Sequence, residues 1–396
     1  MNSIGSIKNK NILLLQGPMG GFFKKLDKVF QNAGAKTYKL GLNAGDSFFS
    51  NHYNYVPYKG TMEDYELFIA TFLQDKEIDK IFLFGDCRFY QSISIKVAIS
   101  LDVEVFVFEE GYIRPDYITM EKYGVNDFSH ISRDSSFYRS FEIGKEYEPL
   151  KSNVSQIDII LSAVIYYLVS NIFTYRYPHY NHHRNFSARK ELFYGTRSFL
   201  RKQIYPFYER GILEKIKTEL SKNYFFVPLQ TYTDFQILQH SGYLSIEKFI
   251  IEVLESFAKS GIKEELIFKH HPVDRGRKNY KDFIMNQAEI LGVKNKILVL
   301  YDTYLPTLLI NAKGTITINS TVGLSSLYHK TPTITLGNAI YDIDGLTCKG
   351  MSIDEFWHNQ ILPDSELLEK YRYYIIENTQ LNGSFYGLFP DLKFDI

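Results

Sequence analysis

The feature of this sequence that most constrains its fold is a rhythm of short, continuous apolar runs separated by longer amphipathic segments. In the first half the apolar runs lie at 11–16, 80–85 and 103–108, and an amphipathic stretch covers 22–31. This alternation predicts parallel strands joined by crossover helices. Runs such as ILLL and IFLF are unbroken by polar residues, which indicates strands that are covered on both faces.

From Phe225 onward the same rhythm restarts. Strand-like runs occur at FFVPLQ, ELIFKH, ILVLYD, 315–319 and 332–336, and helical patterns occur at 246–260 and 279–291. A chain of 396 residues has room for two domains of roughly 100–200 residues each. We therefore predict two doubly wound α/β domains at 1–150 and 211–355, with C-terminal helices at 356–396 that pack back on the first domain.

The segment at 151–210 differs from both halves. It contains the apolar run IDIILSAVIYYLVSNIF, then RYPHYNHHR, and then a cationic stretch with Arg189, Lys190, Arg197, Arg201 and Lys202. The apolar run is interrupted by polar side chains and is marginal in length for spanning a bilayer. Two interpretations stay open: a basic and aromatic helical linker on an anionic lipid surface, or an interdomain helical hairpin with solvated charges.

Charge and cysteine content exclude several classes of function. The 45 Lys and Arg residues balance 45 Asp and Glu residues, so no overall field favours nucleic acid, which is not expected as a partner. Cys87 and Cys348 are too few for a disulfide framework or a cysteine zinc site. Residues 1–10 are polar rather than an apolar signal, so we expect a cytoplasmic protein.

Ligands of open α/β sheets lie beyond the carboxyl ends of the strands, so polar residues there are candidate site residues. Glu109 and Glu110 follow VEVFVF, and their side chains should point to opposite sides. A carboxyl group whose proton affinity is raised by its neighbour suits general acid/base catalysis, although a solvated acidic loop would look the same. Asp234 follows the FFVPLQ strand and would face a cleft between the domains, as a double displacement requires; alone it would be an ordinary loop residue.

Two more strand ends carry groups that could bind an anion. His270 and His271 follow ELIFK, where Pro272 fixes the chain and Lys269 adds charge, so a phosphate contact is predicted rather than a metal site, which would lack a third ligand. Ser320, Thr321 and Gly323 follow TITIN at a predicted helix start. Helix amino termini bind anions, and simple capping by Ser320 is compatible with that role.

Two further motifs are ambiguous. Gly17 and Gly20 belong to the turn GPMGG after the first strand, which lacks the G-x-G-x-x-G spacing, so close approach of an acceptor is as good an interpretation as a dinucleotide. Asp342-Ile343-Asp344 has the form of a metal-binding D-x-D motif, but it lies beside Gly345 and is interpreted as a turn.

Taken together, these motifs resemble the KpsS/KpsC (LipB-like) capsule proteins, a family of β-Kdo transferases. The motifs that follow the family's order are LLLQGPMGGFF, FGDCR, VFEEGYIRPDYITME, VPLQTYTD, KHHPVDRG, LPTLL, INSTVGLSSL, AIYDIDGLT and TQLNGSFYG. The acidic-acidic-Gly, His-Pro and Ser-Thr trio is also similar to that of bacterial sialyltransferases, which use CMP-sugars. The resemblance implies an α/β, GT-B-like fold: two Rossmann-like domains with a cleft between them and an inserted helical segment.

The resemblance also implies an activity. Kdo would pass from CMP-Kdo, with retention and without metal or cofactor, to a (lyso)phosphatidylglycerol-type phospholipid at the inner face of the cytoplasmic membrane. This step would start the poly-Kdo linker of a capsule, with other capsule biosynthesis proteins as partners. A different CMP-sugar transferase of the sialyl type and a non-catalytic export or assembly factor are the alternatives.

By the same analogy, Glu110 is the acid/base, Glu109 is the alternate, and Asp234 is the nucleophile. Contacts to the CMP-sugar are expected from Lys269, His270, His271, Pro272, Ser320, Thr321 and Gly323. Contacts to the acceptor are expected from Gly17, Gly20, Asp86, Arg88 and Arg114. No metal ligands are expected.

Overall fold

The structure is a computed structural model that describes residues 3–144, 148–180, 188–232 and 241–395. The chain forms two compact units: the first comprises Met1–His130, Ile143–Ala188 and Tyr373–Ile396, and the second comprises Ile131–Glu142 and Arg189–Arg372. This division assigns the segment at 151–210 partly to each unit, with the change after Ala188.

The elements alternate between strands and helices along the described chain. The strands are β1 (Asn11–Leu14), β2 (Lys36–Gly41), β3 (Tyr55–Pro57), β4 (Lys80–Phe84), β5 (Glu104–Glu110), β6 (Tyr117–Lys122), β7 (Tyr224–Pro228), β8 (Glu265–Lys269), β9 (Ile297–Leu300), β10 (Gly314–Thr317), β11 (Thr333–Thr335) and β12 (Gln380–Asn382). The α-helices are α1 (Phe22–Asn32), α2 (Ala44–Phe48), α3 (Tyr65–Asp75), α4 (Phe89–Ser100), α5 (Ser135–Arg139), α6 (Gln156–Ile172), α7 (Ala188–Tyr208), α8 (Ile212–Lys217), α9 (Ile246–Ser260), α10 (Lys281–Ile290), α11 (Leu305–Asn311), α12 (Thr321–Tyr328), α13 (Ile353–Phe356) and α14 (Ser365–Thr379).

Both units are built on a parallel sheet with the same winding. The first sheet has the order β12-β6-β5-β4-β1-β2-β3, in which β1 to β5 are parallel while β6 runs antiparallel to β5, and β12 antiparallel to β6. The second sheet has the order β11-β10-β7-β8-β9 and its pairs are all parallel. The chain reverses its direction of winding between β1 and β4 and between β7 and β10, which are the points where doubly wound sheets bind ligands.

Period-two alternation along each strand fills a core on both faces of its sheet. On β7, Phe225 and Val227 face the core that contains α9, α10 and Trp357, whereas Tyr224 and Phe226 face the core that contains α8 and α11. The first sheet is covered in the same way, by α3 and α4 on one face and by α1 and Phe385 on the other. Coverage of both faces explains why the strands read as unbroken apolar runs.

The predicted α/β class with two Rossmann-like sheets is confirmed, and the predicted helix at 246–260 is α9 with the same bounds. Strand β5 is longer than predicted, and the added residues are the two candidate catalytic glutamates. The sequence predicts that β5 ends at Phe108, but the strand continues through Glu110, because Glu109 pairs with Thr119 and Glu110 with Ile118 of antiparallel β6.

The basic helix α7 docks on the second unit. Glu191 accepts a hydrogen bond from Arg277 Nη1 at 2.9 Å, Arg201 Nη1 donates to the Arg275 carbonyl at 2.7 Å, and Tyr205 stacks on Tyr301 at 4.1 Å. Part of the cationic stretch therefore serves structural contacts. Among the helices in the described parts of the chain, none combines the length and apolar character needed to cross a membrane.

Candidate active site

The two glutamates at the end of β5 diverge, as the strand period requires. Glu109 shares its face of the sheet with Val107, whereas Glu110 shares the opposite face with Phe108. Glu109 is half-buried and Glu110 is exposed. The two carboxylates therefore have different environments although they are neighbours in sequence.

Glu109 lies in a polar recess at the carboxyl ends of β4 and β5. A Cβ atom placed on Gly85 would lie 3.7 Å from Glu109 Oε2 and 3.8 Å from Arg88 Nε. Glu109 Oε1 accepts a hydrogen bond from the Glu110 amide at 3.0 Å. Burial raises the pKa of Glu109 to about 7, against the lowering effects of that hydrogen bond and of Arg88; the charges of Glu110 and Asp86 add smaller upward contributions. A carboxyl group that titrates near neutrality can both donate and accept a proton.

Glu110 lies on the other face of the sheet, near Tyr386. Burial, together with the charge of Glu110, raises the pKa of Tyr386 to about 12. The predicted acceptor residue Gly20 lies against the same tyrosine, since a Cβ atom there would be 3.6 Å from Tyr386 Cε1 and 3.5 Å from Ser162 of α6. Gly17 packs against the ring of Phe23.

The other predicted acceptor residues differ in their surroundings. Arg88 lies over the ring of Phe84 at 5.3 Å, and its charge acts on Glu109. Asp86 is buried and accepts a hydrogen bond from the Val125 amide at 2.9 Å. Arg114 is exposed, and its Nε donates to the Gly111 carbonyl at 3.1 Å within the same turn. Asp86 and Arg88 thus belong to the recess around Glu109.

A buried polar cluster, which the sequence did not predict, occupies the ends of β1 and β2. Gln16 Nε2 donates to Asp46 Oδ2 and to Tyr166 Oη, both at 3.1 Å, and the Tyr166 hydroxyl donates to Asp46 Oδ1 at 2.9 Å. Gln91 Nε2 donates to Gln16 Oε1 at 3.3 Å. This cluster fastens α6 to the first sheet beside its point of reversal. The sequence gives little indication of this cluster, because its residues lie up to 150 positions apart in the chain.

In the second unit, the two histidines after β8 have different roles. Both ring nitrogens of His270 are engaged, because Nε2 accepts from the Tyr280 amide at 2.8 Å and Nδ1 faces the Leu300 carbonyl at 3.4 Å. Burial lowers the pKa of His270 to about 4, so the ring is neutral and structural. Both ring nitrogens of His270 have partners inside the protein, so its predicted contact with the CMP-sugar would require one of these hydrogen bonds to be exchanged, and it stays a prediction.

His271 and Lys269 are placed differently from His270. His271 is half-buried and begins the 3-10 turn that contains Pro272; its Nδ1 accepts from the Val273 amide at 3.2 Å, which places the proton of the neutral ring on Nε2. Lys269 is buried, and burial lowers its pKa. Of the two histidines, His271 is therefore the one whose ring lies partly at the surface, beside the turn that Pro272 begins.

The helix start after β10 has the features of an anion site. Ser320 caps α12 through a hydrogen bond that its Oγ accepts from the Val322 amide at 3.2 Å, and Thr321 is the first helical residue. Gly323 allows Tyr341 to pack against the helix, since a Cβ atom there would be 2.1 Å from the tyrosine oxygen. The capping alternative is the one on view: the amides of Val322 and Gly323 both donate to Ser320, to its Oγ and its carbonyl oxygen respectively, while anion binding at this helix start stays a prediction.

The sequence did not single out the pair that bridges the reversal point of the second sheet. Gln230 follows β7 and Asn319 follows β10. Gln230 Nε2 donates to Asn319 Oδ1 at 3.0 Å, and the backbone amide of Asn319 donates to Gln230 Oε1 at 3.4 Å. These two hydrogen bonds tie the end of β7 to the residue that directly precedes Ser320. Asp234, the predicted nucleophile, lies outside the described residues.

The D-x-D sequence is a turn. Asp342 Oδ1 accepts a hydrogen bond from Thr347 Oγ1 at 2.5 Å, and Asp344 forms a bridge with Thr347. Across the described residues, His, Cys, Asp and Glu side chains form no group of three or more that could hold a metal ion.

Residues 79–386 match the family described as capsule polysaccharide biosynthesis proteins. The chain belongs to this capsule polysaccharide biosynthesis family. It is 36% identical over 381 residues to the capsule polysaccharide export protein KpsS of Escherichia coli, covering 96% of this chain and 98% of that protein. It is 35% identical over 397 residues to the capsule polysaccharide modification protein LipB of Neisseria meningitidis serogroup B, covering 97% and 94% of the two chains.

Solved structures are more distant from this member of the capsule polysaccharide biosynthesis family. The β-Kdo 2,7 transferase KpsC of Thermosulfurimonas dismutans aligns over 91% of this chain and 89% of that chain, with 14% identity and a TM-score of 0.42. Within this chain, the range that matches the capsule polysaccharide biosynthesis family contains Glu109, His271 and Ser320 but not Gly17 or Gly20.

Proposed function

We propose that this chain is a retaining β-Kdo transferase, which moves Kdo from CMP-Kdo to a (lyso)phosphatidylglycerol-type lipid and so initiates the poly-Kdo linker of a bacterial capsule. The observation that carries the proposal is a division of chemical roles between the units. The first presents a carboxyl group, Glu109, whose pKa is about 7, and the second presents a helix start after β10 and His271 after β8, the two strands that flank β7. The E. coli relative, a capsule polysaccharide export protein, and the Neisseria relative, a capsule polysaccharide modification protein, support a role in capsule polysaccharide metabolism.

In the proposed mechanism, the second unit holds the donor by its phosphate. The positive end of the α12 dipole, the Thr321 hydroxyl and the His271 ring would bind the phosphate oxygens. Charge that develops on departing CMP would be stabilised by these donors and by Lys269, without metal or cofactor. Gln230 and Asn319 would position the strand ends from which Ser320 extends.

The transfer would proceed by double displacement. A carboxylate oxygen of Asp234 attacks the anomeric carbon of Kdo as the bond to the CMP phosphate oxygen breaks. Glu109 then removes the proton from the acceptor hydroxyl, whose oxygen attacks the same carbon and releases Asp234. Two inversions give retention. We assign the acid/base role to Glu109 rather than Glu110, because burial gives Glu109 a pKa near neutrality, which suits it to remove the acceptor proton in the second displacement.

A lipid acceptor is supported by an apolar cavity near Glu109. The cavity has a volume of about 500 Å³; Ile95, Ile99, Tyr123 and Phe128 form its apolar lining, and Asp86, Ser92, Lys96 and His130 form its polar lining. An acyl chain would suit this lining, whereas a fully polar acceptor would not. We propose that the protein meets this acceptor at the inner face of the cytoplasmic membrane, together with other capsule biosynthesis proteins.

The proposal is tested by a donor and acceptor screen. Purified protein is incubated with CMP-Kdo, CMP-sialic acid or UDP-N-acetylglucosamine and a panel of lysophospholipids, and products are identified by mass spectrometry. We expect a Kdo-lysolipid from CMP-Kdo alone, with retained anomeric configuration by NMR. Transfer from CMP-sialic acid instead would establish the sialyl-type alternative.

A second candidate function, a non-catalytic export factor, is favoured by the printed name of the E. coli relative. It predicts that no CMP-sugar is hydrolysed or transferred, and that Glu109→Ala and Glu110→Ala variants still support capsule export in a strain that lacks the gene. Loss of capsule with either variant, alongside transfer by the wild-type protein, would exclude it.

A further inference from the structure

Helix α6 is oriented with its polar side toward the protein and its apolar side outward. On the inner side, Tyr166 is buried in the cluster with Gln16 and Asp46, and Ser170 Oγ accepts a hydrogen bond from the Gly45 amide at 3.1 Å. These contacts all lie within the first unit. A helix on the surface of a globular protein normally has the reverse arrangement, with its apolar face in the core.

The outward side is an aliphatic stripe in which Asn171, near the carboxyl end of the helix, is the one polar side chain. Its most exposed members have 51–67% of their surface accessible; they are Ile157, Ile160, Leu161, Val164, Leu168 and Ile172. At 100° per residue these positions fall within one sector of the helix, directly opposite Tyr166. Charge is absent from this sector; Asp158 lies at its edge, in the first turn, where an acidic residue favours the helix.

The carboxyl end of α6 carries amphipathic and cationic side chains. Tyr175 is 70% exposed, and the guanidinium of Arg176 lies over the ring of Phe173 at 5.0 Å. Arg176 is itself exposed, as is Lys151, which precedes the other end of the helix. Aromatic rings and cations beside an aliphatic face are typical of helices that lie in the interfacial layer of an anionic bilayer.

We infer that the α6 stripe is a membrane-docking surface whose partner is the interfacial region of an anionic lipid bilayer. A protein partner is less consistent with this composition, because protein interfaces rely on buried aromatic and arginine anchors, and the stripe itself is aliphatic apart from Asn171. The helix is 17 residues long and is held along one side by polar contacts, so the geometry suits a helix lying in the plane of the membrane.

Docking through α6 would also orient the first unit. Ser162, Tyr166 and Ser170 contact Gly20, Gln16 and Gly45, respectively, so the helix runs across the carboxyl ends of the first sheet. The edge that carries the acid/base candidate would therefore face the bilayer surface. This inference concerns binding alone, and it holds whether or not the proposed transfer reaction is correct.

The test is co-flotation of the full-length protein with vesicles of phosphatidylcholine containing 30 mol% phosphatidylglycerol, compared with pure phosphatidylcholine. We expect the wild type to float with the anionic vesicles. A Val164→Asp/Leu168→Asp variant should lose at least tenfold in the partition coefficient, and Val164→Ser/Leu168→Ser should show a smaller loss in the same direction.

The matched control is Leu67→Asp on α3, which places a charge on another exposed apolar residue of the first unit and should float like the wild type. Circular dichroism and thermal unfolding establish that each variant is folded. Glu109→Gln should float like the wild type, which separates docking from the proposed chemistry. Flotation of the Val164→Asp/Leu168→Asp variant at the wild-type level would refute the inference. So would a lipid-free dimer of the wild type that the same variant abolishes, because a second copy would then cover the stripe.

Discussion

The protonation of Glu109 is a property of the folded protein rather than of the sequence. Its neighbour Glu110 has the same side chain but is exposed, so the difference between them comes from the recess that Gly85 and Arg88 form at the sheet edge. Sequence reasoning predicted the pair and its divergence, yet it favoured Glu110. The burial that distinguishes the two depends on residues of β4 and the following loop, and no local pattern encodes it.

Stability should reveal this burial independently of activity. The folded protein retains the Glu109 proton up to about pH 7, whereas the unfolded chain releases it near pH 4.5. The wild type should therefore lose stability as pH rises from 4.5 to 7, by up to about 3 kcal/mol, and the penalty should stay constant above that window. Glu109→Gln, which has no charge to bury, should be more stable than the wild type at pH 8 and similar at pH 4. Urea unfolding at both pH values measures this, and an unchanged difference between Glu109→Gln and the wild type at pH 4 and pH 8 would contradict it.

The two histidines after β8 provide a second test at the residue scale. His270→Ala leaves the Tyr280 amide without its buried acceptor and should lower the free energy of unfolding by about 1–3 kcal/mol. His271→Ala should leave the unfolding temperature nearly unchanged and weaken CMP binding by about tenfold, the equivalent of one charge-assisted hydrogen bond. Calorimetric titration with CMP and thermal scans separate the two effects. Equal loss of CMP affinity in both folded variants would contradict the assignment.

At the scale of elements, the junction between α2 and α6 has no room for a side chain. A Cβ atom on Gly45 would lie 2.6 Å from Ser170 Oγ and 2.8 Å from the Tyr166 carbonyl oxygen, so Gly45→Ala must displace the backbone of α6. We expect faster amide exchange throughout α6 and weaker flotation with anionic vesicles. Gly195→Ala in α7, where a Cβ atom meets nothing within 4 Å, is the matched control and should stabilise the protein by about 0.5–1 kcal/mol. Protection of α6 at the wild-type level in Gly45→Ala would contradict the described docking.

The sequence predicted elements better than their orientations. Unbroken apolar runs located the strands that end near Glu109, His271 and Ser320, because a strand covered on both faces must be apolar throughout. The apolar run of α6 was also recognised. The orientation of α6 was not predicted. The hydroxyl groups of Tyr166 and Ser170 determine which face of the helix packs on the protein, and their partners lie more than 100 residues away in the chain.

At the scale of the whole molecule, the two sheets repeat one winding but carry different chemistry at their reversal points. The first has a cluster of amide, carboxylate and phenol groups around Gln16, whereas the second has the Gln230–Asn319 pair beside a helix start. This asymmetry fits a division between acceptor chemistry and donor binding. The sequence predicted which strand ends carry polar residues but not the contacts between them, because a contact such as Gln230–Asn319 joins residues 89 positions apart.

Independence from metal is expected of the whole reaction. In the proposed mechanism, Lys269 and the start of α12 would supply positive charge for the leaving phosphate, and His271 would supply a hydrogen bond. Full transfer activity should therefore persist after dialysis against excess EDTA, measured as the initial rate of CMP release. Loss of activity in EDTA that Mg²⁺ or Mn²⁺ restores would show that a metal carries the leaving-group charge.

The most direct test of a shared task for the two units is the turnover of CMP-Kdo with a lysophosphatidylglycerol acceptor, measured for Glu109→Gln and His271→Ala. Glu109→Gln, which removes the proposed acid/base, should lower kcat by at least about 100-fold while CMP affinity stays at the wild-type value. His271→Ala, which removes the proposed phosphate contact, should act mainly by weakening the binding of CMP-Kdo. Transfer at the wild-type rate by Glu109→Gln, with inverted configuration in the product, would contradict the account.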